Sequence, residues 1–204
     1  MRLKLLILLN TVFEIVSVAV VKLLVVIIEK GLIKMNYIRI NKCDIANGNG
    51  VRCTLFVAGC NHRCQGCHNP ESWNPNAGAK FTKETEEEIM DVIRLPYIRG
   101  LTLSGGDPLY PQNRDELTNL VKRIKTELPN KDIWVWTGYE FDEIKDTELI
   151  KYCDVVVVGP FILEQRDISD ANRWRGSRNQ RVIKVRESLA TGKPVMLENI
   201  PNNE

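Results

Sequence analysis

The sequence has no uncharged apolar run of the roughly 18–20 residues that a membrane-spanning helix needs. Its most apolar stretch, residues 5–28, reaches that length only with Glu14 and Lys22 counted inside it, which makes a poor signal-anchor. No small-x-small cleavage site follows before Lys34, so a removable signal peptide is not expected. A net basic excess is confined to this segment. Arg2, Lys4, Lys22, Lys30 and Lys34 against Glu14 and Glu29 give residues 1–34 a charge of +3, whereas the whole 204-residue chain carries +2, which leaves residues 35–204 at −1. Neither a nucleic acid nor another polyanion is expected as a partner on that balance. A Ser-His-Asp arrangement and a pair of carboxylates are both missing, so acid–base or nucleophilic catalysis by side chains is not indicated. Also missing is the second Cys or His pair that usually completes a structural zinc site.

What is present suits one globular domain. The chain is 44% hydrophobic and 26% charged, which excludes disorder throughout, and it is long enough to bury a core without disulfide staples. Three of the six cysteines, Cys60, Cys64 and Cys67, fall within eight residues, Cys60-Asn61-His62-Arg63-Cys64-Gln65-Gly66-Cys67. They follow the apolar run Thr54-Leu55-Phe56-Val57-Ala58 and Gly59, read as a buried strand over 52–58 feeding a loop. Thiolates on one loop are soft ligands for zinc, copper(I) or an iron–sulfur cluster. A four-iron cluster on three cysteines leaves one iron free for a substrate or cofactor. Two other readings stand beside it: zinc with His62 or His68 as fourth ligand, and a disulfide with a spare thiol. Cys153, before Asp154-Val155-Val156-Val157-Val158, reads as a buried small apolar residue.

Beyond the loop, strands and helices alternate. Thr85-x-x-Glu88 reads as a capping box for a helix over 83–95, and Leu117, Leu120, Val121, Ile124 and Leu128 mark an amphipathic helix stopped by Pro129. Residues 141–151 form a weaker helix. Strands are expected at 100–104, 132–136, 154–158 and 181–185, with residues 36–50 a turn-rich lead-in. The alternation predicts an α/β fold: a parallel sheet with outer helices, open or partly closed as a (β/α) barrel. Ligands then collect beyond the carboxyl ends of the strands, where Ser104-Gly105-Gly106-Asp107-Pro108 and Trp136-Thr137-Gly138 join the cysteine loop. Glycine there lets a ligand approach the backbone, so Gly106→Val is expected to spare a cluster and block the ligand.

The Cys-x3-Cys-x2-Cys spacing resembles that of the radical S-adenosylmethionine enzymes. The run from Asn47-Gly48-Asn49-Gly50 through Cys67-His68-Asn69-Pro70 is similar to the activases of glycyl-radical enzymes. With Ser104–Pro108, Trp134-Val135-Trp136-Thr137-Gly138-Tyr139 and Trp174-Arg175-Gly176-Ser177, the chain most resembles, over roughly residues 35–185, the activators of anaerobic ribonucleoside-triphosphate reductase.

The resemblance implies a cytoplasmic oxidoreductase with the partial barrel of that family, a [4Fe-4S] cluster on Cys60, Cys64 and Cys67, and S-adenosyl-L-methionine on the open iron. Gly66, Cys67, His68, Ser104, Gly105, Gly106, Asp107 and Thr137 are its implied contacts. Asp107 either anchors its loop or adds charge. Reductive cleavage would yield methionine and a 5′-deoxyadenosyl radical that takes a hydrogen atom from a glycine of the reductase's glycyl-radical subunit. A low-potential electron donor is implied, and a membrane partner is not. The alternatives are an activase of pyruvate formate-lyase or a related glycyl-radical enzyme, and a non-catalytic zinc-binding interaction module.

Three departures are visible. Asn49 replaces the family's proline, which implies a looser loop. Val158-Gly159 replaces an Asp-Gly, so any polar contact made there is lost. Residues 1–34 precede a family-like start at Met35-Asn36-Tyr37-Ile38 and are expected to lie outside the folded domain, residues 35–204, as untranslated sequence ahead of a later start codon. Trp174-Arg175-Gly176-Ser177-Arg178-Asn179-Gln180 reads equally as a nucleotide contact or a surface turn, and residues 186–204 match nothing.

Overall fold

The computed structural model describes residues 35–167, 169 and 173–197; the expectation for residues 1–34 lies outside the described residues. In chain order the elements are β1 (Asn36–Asp44), β2 (Arg52–Val57), β3 (Ala79–Lys80), α1 (Lys83–Arg94), β4 (Gly100–Gly105), α2 (Pro111–Glu127), β5 (Asp132–Trp136), α3 (Phe141–Ile144), α4 (Glu148–Lys151), β6 (Val155–Val158), β7 (Arg181–Lys184) and α5 (Val185–Thr191). They form one seven-stranded sheet in the order β3-β1-β2-β4-β5-β6-β7.

Its centre, β2-β4-β5-β6, is parallel, as the sequence predicts. Its flanks are antiparallel: β1 pairs with β2 and with β3, and β7 pairs with β6. The sheet is therefore mixed, which corrects the wholly parallel expectation. β1 escapes the sequence because it is a partly exposed strand whose apolar residues are broken up by Arg39, Asn41 and Lys42, and β3 is two residues long. The seven-residue connection 45–51 lets β1 fold straight back on β2, whereas a parallel neighbour needs a longer crossover.

Strand alternation sorts the side chains between two faces. Cys53, Leu55 and Val57, Leu101 and Leu103, Ile133 and Val135, Val156 and Val158, and Ile183 share one cluster with residues from all five helices. The intervening positions Trp134, Val155, Val157 and Val182 form a smaller cluster on the other face, with Trp136 and Trp174 packed against it. Among the described residues, the helices thus line one face of the sheet. Because the central strands follow one another without reversal, each crossover turns the same way and delivers its helix to the same side.

Local signals account for most boundaries. Thr82, not Thr85, caps α1, its hydroxyl accepting from the Thr85 amide at 3.3 Å. Thr85 already lies inside the first turn. Pro111 opens α2, where a missing N–H costs nothing. The expected helix over 141–151 is two short helices interrupted at Lys145–Thr147, the Thr147 hydroxyl donating to the Ile144 carbonyl.

At the opposite end of the sheet from the cysteine loop, fully buried Arg52 pairs with Asp132 and donates to Thr102 Oγ1 at 2.7 Å, Leu101 O at 2.9 Å and Asn49 O at 3.1 Å. The loop around Asn49 is thereby held at the Asn49 carbonyl, and Thr102 Oγ1 holds the Asn47 carbonyl. Arg52→Ala leaves Asp132 without this partner. Since the Asp132 side chain is 20% exposed, the expected loss is at the low end for a broken buried pair, about 3 kcal/mol of unfolding free energy. Chemical denaturation measures it; an unchanged midpoint would show that the pair contributes nothing.

Candidate functional site

The cysteine loop begins where β2 ends and is closed into a ring by backbone bonds. The Gly59 amide donates to Ser72 O at 2.7 Å and the Cys60 amide to Trp73 O at 3.2 Å, so the 3-10 turn Pro70–Trp73 returns onto the loop's root. Inside the ring the Cys67 amide donates to Cys64 O at 3.2 Å. Arg63 holds φ 48°, a left-handed conformation that reverses the chain between Cys60 and Cys64.

All six cysteines are free thiols. Burial pushes Cys53 up to about 12 and raises Cys153, as expected of thiols that pack as apolar groups. Cys43 is exposed on β1. Cys60, Cys64 and Cys67 are half-buried. Burial also raises the Cys60 thiol, but the amides of His62 and Arg63 point at its sulfur and act in the opposite direction. The Asn69 amide donates to Cys67 Sγ at 3.4 Å. Amide N–H groups aimed at sulfur stabilise thiolate charge, which suits this ring to an anionic iron–sulfur cluster. Among the described residues no three His, Cys, Asp or Glu side chains gather around a single metal ion. A cluster has no need of such convergence, since each thiolate binds its own iron.

The loop after β4 is joined to that root. The Gly106 amide donates to Val57 O and the Asp107 amide to Gly59 O, both at 2.8 Å. Gly106 is pressed on protein, not open to a ligand on its Cα side: a Cβ there would stand 2.6 Å from Gly59 O and 2.9 Å from Ser72 O. Asn113, in the first turn of α2, fastens the same junction by donating to Ala58 O at 2.8 Å and Asp107 O at 3.0 Å.

Asp107 is 1% exposed and its carboxylate is an acceptor hub. Thr137 Oγ1 donates to it at 2.9 Å, the Gly138 amide at 3.0 Å, the Leu109 amide at 2.8 Å and His62 Nε2 at 2.8 Å. That hydrogen bond holds His62 above the usual imidazole range. Of the two roles open to Asp107 in the sequence, anchoring is the one its bonds serve. Thr137, itself buried, also accepts from the Tyr139 amide at 3.2 Å.

The structure therefore joins Cys60, Gly105, Gly106, Asp107 and Thr137 at adjacent strand ends. Ser104 alternates with Leu103 and so faces away from the helices. Gly66 and His68 lie farther along the loop, against the segment after β6: a Cβ on Gly66 would meet Leu163, and the His68 ring is 6.0 Å from Phe161.

Two features escape sequence reading. The sequence offers His62 only as a zinc ligand; its value as a link needs the fold. Asn113 did leave a trace, a polar residue on the apolar stripe four positions before Leu117. The Trp174–Gln180 motif proves to be a knot. Gln180 Oε1 accepts from the Gly176 amide, Gln180 Nε2 donates to Gly159 O, Asn179 Nδ2 to Pro160 O, and Ser177 Oγ accepts from the Ile162 amide. These side chains build the end of β6, where Val158 itself points into the helix-side core.

The family described as a 4Fe-4S single cluster domain matches residues 46–183. Curated relatives named anaerobic ribonucleoside-triphosphate reductase-activating protein are similar over most of both chains. The one from Enterobacteria phage T4 is 50% identical over 148 residues, 72% of this chain and 93% of its own. That of Vibrio cholerae serotype O1 is 48% identical over 150 residues, 72% and 96% of the two chains, and that of Escherichia coli K12 is 46% identical over 156 residues, 74% and 100%. This chain belongs to the family of anaerobic ribonucleoside-triphosphate reductase-activating proteins.

Proposed function

We propose that the protein is a radical S-adenosylmethionine activase that generates a glycyl radical on anaerobic ribonucleoside-triphosphate reductase. The observation that carries this is the hydrogen-bonded junction between the cysteine ring and the Gly-Gly-Asp-Pro loop, in a chain whose relatives bear that activator's name. Cys60, Cys64 and Cys67 would hold the [4Fe-4S] cluster, which when bound supplies the electron that cleaves S-adenosylmethionine to methionine and the hydrogen-abstracting 5′-deoxyadenosyl radical. The carbonyls of Ser104, Gly105 and Gly106 accept the methionine ammonium, with Asp107 and Thr137 fixing their loop from behind. Gly66, Cys67 and His68 border the cofactor from the other side.

A partial barrel is the architecture we infer for this site. Helices on one face and an unreversed central strand order support it, since a doubly wound sheet places helices on both faces. We also assign the activity to residues 35–204, within which the family match at 46–183 falls. Six free thiols suit a reducing cytoplasm, and among the described residues no helix is long and apolar enough to cross a membrane. A low-potential donor must supply the electron.

Reduced protein with S-adenosylmethionine is expected to raise a glycine-centred electron paramagnetic resonance signal on the reductase, and residues 35–204 alone to do so equally well. A signal on pyruvate formate-lyase and none on the reductase would transfer the assignment to that enzyme's activase.

A further inference from the structure

Three strand-end loops meet at one imidazole. His62 lies between Cys60 and Cys64, and its Nε2 donates to Asp107 Oδ2 at 2.8 Å. Its ring stands edge-on to Tyr139 with centroids 4.6 Å apart. Gly138 leaves room for it, since a Cβ there would be 2.5 Å from the imidazole Cδ2. Tyr139 and Gly138 follow β5, Asp107 follows β4, and the histidine follows β2. The backbone bonds from Gly106 and Asp107 reach Val57 and Gly59, both before the first cysteine. His62 extends the junction beyond Cys60, into the part of the loop that carries the thiols.

Building on the activase reading, we propose that His62 is a positioning residue: its bond to Asp107 makes the cysteine loop and the Gly-Gly-Asp-Pro loop one body, and so sets the affinity for S-adenosylmethionine. The physical reason is that this cofactor must engage both loops at once. A ligand held at two points loses affinity when the points move independently, because binding must then also freeze their relative motion. The bond is charge-assisted, its acceptor is almost wholly buried, and the ring is clamped by Tyr139 and Gly138, so it is well placed to suppress that motion.

The test compares His62→Phe, His62→Gln and Gly138→Ala with the wild type, all as full chains. Iron and sulfide per chain, the Kd for S-adenosylmethionine on the cluster-loaded protein, and amide hydrogen exchange at residues 105–107 in the cluster-free protein are measured. His62→Phe and Gly138→Ala are expected to retain iron and sulfide, to bind S-adenosylmethionine about tenfold more weakly, and to exchange faster at residues 105–107. His62→Gln keeps an N–H donor and is expected to recover most of both. Wild-type affinity and exchange in His62→Phe would overturn the proposal. So would equal losses in His62→Gln and His62→Phe, since ring volume and not the hydrogen bond would then be responsible. If the loaded wild type binds no S-adenosylmethionine, the activase reading fails instead, and the exchange comparison, made without cofactors, still decides whether His62 joins the loops.

Discussion

Cys64→Ala is expected to abolish iron and sulfide uptake, and Cys60→Ala and Cys67→Ala to do the same. Cys43→Ala, Cys53→Ala and Cys153→Ala should load normally. The contrast follows from position. The first three thiols share one closed ring with backbone amides aimed at sulfur. Cys53 and Cys153 are packed in the helix-side core, where burial keeps their thiols protonated, and Cys43 stands exposed on β1. On the proposed ligand assignment, losing one of the three leaves an iron without its thiolate, and no other cysteine lies on the ring to replace it. Metal and sulfide analysis with a visible spectrum after anaerobic reconstitution measures the effect. An intact cluster spectrum in Cys64→Ala would sink the ligand assignment.

The second large effect is expected from Gly106→Val. From sequence alone, glycine here serves the approach of a ligand, so the variant should keep its cluster and fail only with S-adenosylmethionine. The structure changes that expectation. The position a Cβ would take is 2.6 Å from Gly59 O and 2.9 Å from Ser72 O, and those carbonyls belong to the root of the cysteine ring. Backbone cannot yield as a flexible side chain does, so the two loops must part. Gly106→Val should therefore lose cluster as well as cofactor cleavage, with cleavage falling about a hundredfold for a displacement near 1 Å. Iron content decides between the accounts: full loading with cleavage lost would restore the ligand-approach explanation.

These residues also show what was legible in the sequence. The three cysteines and the Gly-Gly-Asp-Pro loop were readable because each follows an apolar run, and a buried parallel strand leaves that mark. The central strands were readable for the same reason. β1 was not, since a partly exposed strand beside turn residues offers no continuous apolar run to stand out. The antiparallel run of β7 was not either, because the contacts beside it, such as the Gln180 bond to Gly159 O at the end of β6, join residues distant in sequence. Asp107 was found as a residue and missed as a hub. The Leu109 amide is a local Asx-type donor, but His62, Thr137 and Gly138 come from two other loops, and no local pattern brings them to one carboxylate.

The pairing of the sheet also sets an order in time. The β1–β2 hairpin joins Asp44 to Arg52 and needs only a short turn, whereas β2 must wait for Gly100 and β4 for Asp132. Hairpins close in microseconds, and pairings across long crossovers are slower. During synthesis the cysteines leave the ribosome on the early hairpin, before Asp107, Thr137 and Gly138 exist to secure them. On a nascent chain the three thiols thus lack the contacts of Asp107, Thr137 and Gly138 until those residues have been made. The partners of the cysteine loop therefore come from parts of the sheet that pair later, whereas the ligands of a zinc finger are gathered by the metal itself.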